Sequence, residues 1–271
     1  MKGNRLVLRQ TLRYDYPSPV GALDHHLMVL PPVRHGDQVR TVSTLAVRGA
    51  PAQVTESLDG FGNVAVRVRA ATVESSVEFV VHVVVERSEG PAAVVAVGDM
   101  RPLLAPSALT GPDPVLRAVA TDLLGSGHVD LDLGARINAW VAGAMRYRHD
   151  VTTVFTTAAE ALALGAGVCQ DYAHVMLALC RLCGLPARYV SGHMIGEGGS
   201  HAWVEVVLPS GSTVAFDPTN DRRAGSGYLT VAVGRDYADV APTSGTYCGP
   251  PGGALSTTKT LEQEAVELIG C

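Results

Sequence analysis

One cysteine in this sequence lies where a thiol could act as a nucleophile. Cys169 follows the run Gly-Ala-Gly-Val at 165–168 and precedes an apolar helical pattern, which places it in the first turn of a predicted helix. The unpaired N–H groups and the dipole at a helix start favour a thiolate, and the same N–H groups could stabilise an oxyanion. A free cysteine is also often only a small buried hydrophobic residue, so its position alone leaves both interpretations open.

Two further residues, His201 and Asp217, would complete a nucleophilic site. A thiol needs a base to take its proton, and the base needs a third group that holds its tautomer. His201 begins a predicted strand after a glycine-rich loop, and Asp217 ends the next strand, directly before Pro218. Taken singly, the histidine is more often structural and the aspartate more often a turn residue. Together with Cys169 they predict a Cys–His–Asp triad with a helix-borne nucleophile.

The spacing of the two partners makes a geometric prediction. Side chains alternate between the faces of a strand, and residues opposite one another share a face. If 214–217 pairs antiparallel with 201–208, His201 and Asp217 share a face only when the connecting loop has an odd number of residues or a bulge intervenes. A pairing closed at Leu208 and Thr213 would separate them. We therefore expect a loop of three or five residues, or a bulge.

Strand-like alternation dominates the amino-terminal part of the chain. Leu6, Leu8 and Leu12 share one parity, and alternating valines follow at 64–68 and 77–85. Prolines between positions 102 and 114 then mark a connection, and helical periodicity follows. We therefore expect an α+β protein, with a β-sandwich-like domain over residues 1–104 and a second, mixed core over residues 105–271.

The core has recognisable helix and strand signals around the candidate triad. A capping-box pattern at Thr157 and Glu160 predicts a helix that ends at Gly165. The next helix is predicted from Cys169 to Cys183, where Gly-Leu-Pro follows. Beyond it the hydrophobic period returns to two, and the predicted strands are 188–194, 201–208 and 214–217.

Motifs across the chain resemble the bacterial transglutaminase-like family. In the core these motifs are Gly165-Ala-Gly-Val-Cys169-Gln-Asp-Tyr-Ala-His174, Gly184-Leu-Pro-Ala-Arg-Tyr-Val-Ser-Gly192, His201-Ala-Trp-Val-Glu205, Phe216-Asp-Pro-Thr-Asn220 and Gly234-Arg-Asp-Tyr-Ala-Asp-Val-Ala-Pro242. In the amino-terminal part, Tyr14-Asp-Tyr-Pro17 and Asp59-Gly-Phe-Gly-Asn63 are similar to the domain that accompanies this core.

The resemblance implies a papain-like fold in which Cys169 is the nucleophile, His201 the base and Asp217 the orienting group. One departure from the family pattern is visible. Relatives commonly carry an aromatic residue, often tryptophan, in the strand before Phe-Asp-Pro-Thr, whereas 212–215 here is Ser-Thr-Val-Ala. The departure affects the packing on the substrate side rather than the triad.

Residues near the triad have structural and functional interpretations. Trp203 shares the strand parity of His201, so it could shield the site, although a plain core role is equally consistent. Gln170 is a candidate substrate-binding residue, and both Gln170 and Asp171 are expected to support the helix start, where a carboxylate complements the dipole. His174 lies about 140° further round the helix axis than the cysteine, which favours a structural role.

The other cysteines favour core packing. Cys180 and Cys183 form a CxxC inside a predicted helix, and no second pair with zinc-site spacing follows. Cys248 and Cys271 are isolated. An odd total of 5 cysteines argues against a disulfide framework and favours reduced thiols in a cytoplasm.

Composition excludes several classes of function. With 21 basic and 26 acidic residues, the net charge of −5 disfavours a nucleic-acid-binding surface. The sequence has no run of 18 apolar residues, so no membrane segment is expected. It also has no phosphate loop, dinucleotide fingerprint or EF-hand pattern, so neither a cofactor nor a metal is expected. The expected partner is a peptide or protein substrate.

Three functions remain open at this point. A thioester at Cys169 could pass to water, as in a peptidase or amidase, or to an amine, as in a transglutaminase. A catalytically silent binding module could also keep the fold. Transfer requires the site to exclude water, and aromatic walls do this well. Because the chain is only 5% aromatic and the loop 191–200 is rich in glycine, we favour hydrolysis.

Overall fold

The computed structural model describes residues 3–87, 93–94, 100–125 and 127–266. The amino-terminal strands are β1 (Gly3–Asp15), β2 (Val20–Leu30), β3 (Arg34–His35), β4 (Gln38–Arg48), β5 (Gln53–Leu58), β6 (Val64–Val73) and β7 (Ser76–Arg87). The middle of the chain forms α1 (Arg101–Leu104), α2 (Pro114–Leu124), α3 (Leu131–Ala144), β8 (Arg146–Tyr147), α4 (Ala158–Leu164), β9 (Ala166–Gly167) and α5 (Cys169–Leu182). The remaining strands are β10 (Ala187–Met194), β11 (His201–Val207), β12 (Thr213–Asp217), β13 (Arg222–Arg223), β14 (Tyr228–Gly234), β15 (Thr243–Cys248) and β16 (Ala254–Val266).

The amino-terminal domain is built from two antiparallel sheets. One has the strand order β16-β1-β7-β4-β3 and the other the order β15-β2-β6-β5. Side chains at every second position of these strands point into one hydrophobic cluster. Examples with no more than 1% of their surface exposed are Leu6, Leu8, Val66 and Phe79. The predicted α+β class with an amino-terminal sandwich is confirmed.

The carboxyl-terminal strands return to this sandwich, which differs from the expected core of 105–271. β15 pairs with β2, and β16 pairs with the whole of β1, from Gly3↔Val266 to Asp15↔Ala254. Without β16, the long strand β1 would expose an unpaired edge. The alternation in 254–266 is typical of a strand, but it does not specify a partner that lies more than two hundred residues earlier in the chain.

The core consists of a five-stranded antiparallel sheet, in the order β13-β12-β11-β10-β14, with helices packed on it. Helix α5 is buried along its length from Gln170 to Arg181, as expected for a central helix. The predicted boundaries of α4 are confirmed: Thr157 and Glu160 form its capping box, and Gly165 ends it with φ of 63°. Within the described ranges, no helix is long and apolar enough to cross a membrane.

The amino-terminal domain covers the edge strand β14 of the core sheet with two side-chain amides. Gln38 donates to the carbonyl of Thr230 at 2.8 Å and accepts from its N–H at 2.9 Å. Asn63 forms the same pair of bonds with Val233, at 2.7 and 2.8 Å. Each amide takes the place of a neighbouring strand, so backbone groups that an edge strand would leave unpaired are satisfied.

A buried ionic cluster also joins the two domains. Glu205 on β11 is 4% exposed and contacts His35 of the amino-terminal domain at 2.7 Å and Arg188 of β10 at 2.6 Å. Burial alone would raise the pKa of Glu205, but these two partners lower it to about 2. The carboxylate therefore stays ionised between the domains, on the strand that begins with His201.

Candidate active site

Cys169 is the first residue of α5, as the sequence predicts, and its side chain is partly exposed. The start of the helix is held by Asp171, whose Oδ2 accepts from the backbone N–H of Val168 and from the hydroxyl of Thr152, both at 2.7 Å. A Cβ at Gly167 would lie only 2.7 Å from the Cβ of Asp171, so this approach requires glycine. The predicted role of Asp171 at the helix start is confirmed.

His201 and Asp217 lie on one face of neighbouring strands. The pairing of β11 with β12 ends at Val207↔Thr213, which leaves the five residues 208–212 in the connecting loop. Extending the register beyond Val204↔Phe216 places Asp217 opposite Trp203, on the face that His201 shares. The odd loop that the parity argument predicts is confirmed, and His201 Nε2 lies 2.8 Å from Asp217 Oδ2.

The histidine connects the carboxylate to the thiol. Because Nε2 of His201 bonds Asp217, Nδ1 is the nitrogen left to interact with Cys169. Burial lowers the pKa of His201, but the bonds to Asp217 and Cys169, with the charges on both, outweigh burial and raise it to about 9. The imidazole ring is therefore protonated at neutral pH.

Asp217 is fully buried and saturated with hydrogen bonds. Besides His201, its carboxylate accepts from the hydroxyl of Tyr228 at 2.7 Å, the amide of Asn220 at 2.8 Å and the N–H of Thr219 at 3.0 Å. Burial raises the pKa of Asp217, but the interactions with His201, Asn220 and Tyr228 outweigh burial, so the net shift of the pKa is downward. An ionised carboxylate in this position holds the imidazole ring in one orientation.

Tyr228 and Asn220 are site residues that the sequence analysis did not single out. Asn220 lies at the end of the Phe-Asp-Pro-Thr-Asn motif, so its place three residues after Asp217 was a usable signal. Tyr228 has no such signal, because it reaches Asp217 from β14, which is not adjacent to β12 in the sheet. Arg222 in turn donates to the Tyr228 hydroxyl at 2.9 Å and lies over its ring.

Trp203 is both a core residue and a cover for the histidine. It is 1% exposed, and its ring is stacked 6.2 Å from that of His201 and packed edge-on against Tyr228 at 5.3 Å. A Cβ at Gly192 would lie 2.6 Å from the Trp203 ring, so glycine there gives the indole its space. The two interpretations of Trp203 are therefore compatible.

The segment 213–215, where the family pattern has an aromatic residue, lies at a cavity. The cavity measures about 240 Å³ and lies between the two domains. Thr213 and Ala215 line it from β12, Trp203 and Glu205 from β11, and Tyr228 from β14. Small side chains at these positions thus leave space beside the tryptophan.

Gln170 and His174 stabilise the surroundings of the helix. The Gln170 amide is 9% exposed and donates to the carbonyl of Val154 at 3.3 Å, so it holds a neighbouring turn. His174 is fully buried and accepts from the N–H of Tyr237 at 3.2 Å. Burial lowers the pKa of His174 to about 4, which keeps the ring neutral and fits the structural role expected for it.

The structure describes three further cysteines, on α5, directly after it and on β15. Cys180 and Cys183 are buried in the hydrophobic cluster around α5, as predicted, and burial raises the pKa of both thiols. Cys248 on β15 is exposed. Cys271 lies outside the described residues.

Comparison with known proteins identifies related chains. Residues 117–218 match the model of the transglutaminase-like superfamily, and residues 6–86 match that of the bacterial transglutaminase-like N-terminal region. The crystal structure of a candidate cysteine protease from Cytophaga hutchinsonii matches with a TM-score of 0.80 at 23% identity, covering 100% of this chain and 93% of that one. At this identity the likeness shows a common fold.

Two mycobacterial relatives are similar over shorter stretches. An uncharacterized protein of Mycobacterium leprae is 41% identical over 120 residues, which make up 41% of this chain and 42% of that protein. An uncharacterized protein of Mycobacterium tuberculosis is 40% identical over 114 residues, or 36% of each chain. The match therefore spans less than half the length of these curated relatives.

Proposed function

Because this chain belongs to the transglutaminase-like superfamily, we propose that it is a cysteine-dependent hydrolase of peptide or glutamine amides. The observation that carries the proposal is the contact of 2.8 Å between His201 Nε2 and Asp217, with Cys169 at the first residue of α5. Nε2 of the imidazole is held by the carboxylate, and Nδ1 is left for the thiol. Such a nucleophile, base and orienting group is the arrangement that acyl transfer through a thioester requires.

In the proposed reaction, the Cys169 thiolate attacks the carbonyl carbon of the amide while His201 holds the proton. The N–H groups of Asp171 and Tyr172 bond the carbonyl of Val168. Those of the first two residues of α5, Cys169 and Gln170, have no carbonyl partner within the helix and stabilise the oxyanion. His201 then gives its proton to the leaving amine, and the C–N bond breaks to leave a thioester. Water attacks the thioester, His201 takes a proton from it, and the acid leaves as the thiolate re-forms.

Hydrolysis is the preferred outcome because the surroundings of the thiol are open. Cys169 is partly exposed, and residues 196–200, directly before His201, are exposed as well. An added Cβ at Gly196, Gly198 or Gly199 would meet no atom within 4 Å, so this loop does not close over the site here. Water can therefore compete with an amine for the thioester.

The experiment offers glutamine-containing and other acyl peptides together with an excess of a labelled primary amine. We expect release of the free acid to exceed amine incorporation, with both abolished in Cys169→Ala. The matched control is Cys248→Ser, since Cys248 is exposed and lies on β15 of the sandwich, and this variant should keep full turnover.

Three results would change the assignment. Amine incorporation that exceeds acid release would identify a transglutaminase. A folded protein without turnover on any peptide would leave a silent binding module, and turnover that persists in Cys169→Ala would remove the cysteine from the mechanism altogether.

A further inference from the structure

Two apolar side chains are displayed at the tip of a turn beside the helix that carries Cys169. The N–H of Thr156 donates to the carbonyl of Thr153 at 3.0 Å, which closes a turn with Val154 and Phe155 at its centre. Val154 is 41% exposed and Phe155 is 81% exposed. Central turn positions are usually polar or glycine, so a displayed Val-Phe pair needs a reason beyond the turn itself.

Several polar groups hold this turn in place. Within it, the N–H of Thr153 donates to the hydroxyl of Thr156 at 2.9 Å. From α5, the Gln170 amide donates to the Val154 carbonyl at 3.3 Å, and Asp171 accepts from the hydroxyl of Thr152 at 2.7 Å. The two residues that directly follow Cys169 thus fasten the turn to the start of the helix.

Tyr147, at the other end of the segment 147–155, is a third exposed side chain with a large apolar part. It pairs with Gly167, two residues before Cys169, and its side chain is 46% exposed. Burial raises the pKa of Tyr147 to about 12, and the nearby charges of Cys169 and Glu197 add to this effect. Its pairing with Gly167 places Tyr147 beside the segment that leads into Cys169. We call Tyr147, Val154 and Phe155 the apolar rim.

We propose that the apolar rim is a specificity subsite that binds a large apolar side chain of the acyl-donor peptide, next to the bond that Cys169 attacks. The proposal rests on the proposed function, since it needs Cys169 to be the nucleophile. A leucine or phenylalanine side chain laid against the rim removes apolar surface of both partners from water. A serine or glycine in the same place gains nothing from it. The hydrogen bonds from the turn to Gln170 and Asp171 hold the rim at a fixed position relative to the start of α5, which carries the thiol.

The test measures the rate at which peptidyl acyloxymethyl ketones modify Cys169, followed by mass spectrometry. Paired reagents carry phenylalanine or serine beside the reactive ketone, and iodoacetamide, which has no side chain to bind, reports on the thiol itself. We expect the phenylalanine reagent to react at least about tenfold faster, and Phe155→Ala to remove most of that preference. The matched control is Leu58→Ala, since Leu58 is 72% exposed on β5 of the sandwich and should not affect the ratio.

The outcomes separate this proposal from the one on which it rests. Equal rates for the two reagents, with rapid iodoacetamide labelling of Cys169, would overturn the rim and leave the nucleophile standing. An unchanged preference in Phe155→Ala would also overturn it, as would an equal loss of rate for both reagents, because a general loss points to a structural role. Failure of every reagent to label Cys169 would remove both proposals.

Discussion

Replacing Gln38 by leucine tests how strongly the amino-terminal domain stabilises the core. Gln38 is 1% exposed, and its amide satisfies both the N–H and the carbonyl of Thr230 on β14. Leucine has a similar size but can form neither bond. Both backbone groups of a strand edge would then be left unpaired in the interface between the domains.

The magnitude follows from these two groups. Each buried group left without a partner costs roughly 1–3 kcal/mol, so the two together cost about 2–6 kcal/mol. Burial of the leucine side chain recovers part of this cost, and we expect a net loss of about 2–3 kcal/mol. Since whole domains are stable by only about 5–15 kcal/mol, the change is large enough to measure.

The assay is urea unfolding followed by tryptophan fluorescence, and Gln10→Leu is the matched control. Gln10 is also a buried glutamine, 6% exposed on β1, but its Oε1 has no hydrogen-bond partner. Losing such a group should cost little, because no partner is left unsatisfied. Equal losses of unfolding free energy in Gln38→Leu and Gln10→Leu would refute the argument.

Four further predictions concern the candidate site and its supports. Limiting iodoacetamide near neutral pH should label Cys169 before the exposed Cys248 in peptide mapping; the reverse order would contradict an activated thiol. Asp217→Asn should lower peptide turnover by about 10³–10⁴-fold while the protein stays folded by circular dichroism, since the imidazole loses the carboxylate charge that fixes its tautomer and stabilises its protonated form. The pKa of His201 is raised from 6.5 to about 9, so its contribution to stability should be present below about pH 6.5 and lost as the pH rises to 9. In urea titrations between pH 6.5 and 9, the free energy of unfolding should depend less on pH in His201→Asn than in the unmodified protein. An identical pH dependence in the two proteins would argue against the raised pKa of His201. A chain that begins at Pro106 should fail to fold by circular dichroism, because β14 loses its covering amides and β15 and β16 lose their partners; a folded fragment would show that the core is independent.

The helices around the site follow from local rules and were predictable. The capping box of α4 joins Thr157 to Glu160, and Gly165 ends the helix at positive φ. Each of these contacts links residues within one helical turn, so the sequence pattern contains both partners. The position of Cys169 at the first residue of α5 follows in the same way from the glycine-rich run before it.

The relation of His201 to Asp217 was predictable for a similar reason. Strand alternation is a property of the backbone, so parity alone limited the connecting loop to an odd length, and the loop 208–212 has five residues. The N–H of Leu208 bonds the carbonyl of Ser212 at 2.9 Å, and Gly211 adopts φ of 82° within the loop. The contacts that close this loop are local.

What only the tertiary structure decided is which distant segments meet. Tyr228 reaches Asp217 from a strand on the far side of the sheet, Gln38 completes an edge in another domain, and β16 pairs with β1. By itself, the sequence determined the elements, their faces and the order of the candidate triad, because periodicity, capping and parity depend on neighbours a few residues apart. Strand order and the contacts between domains depend instead on the packing free energy of the whole chain. No short sequence pattern contains that information.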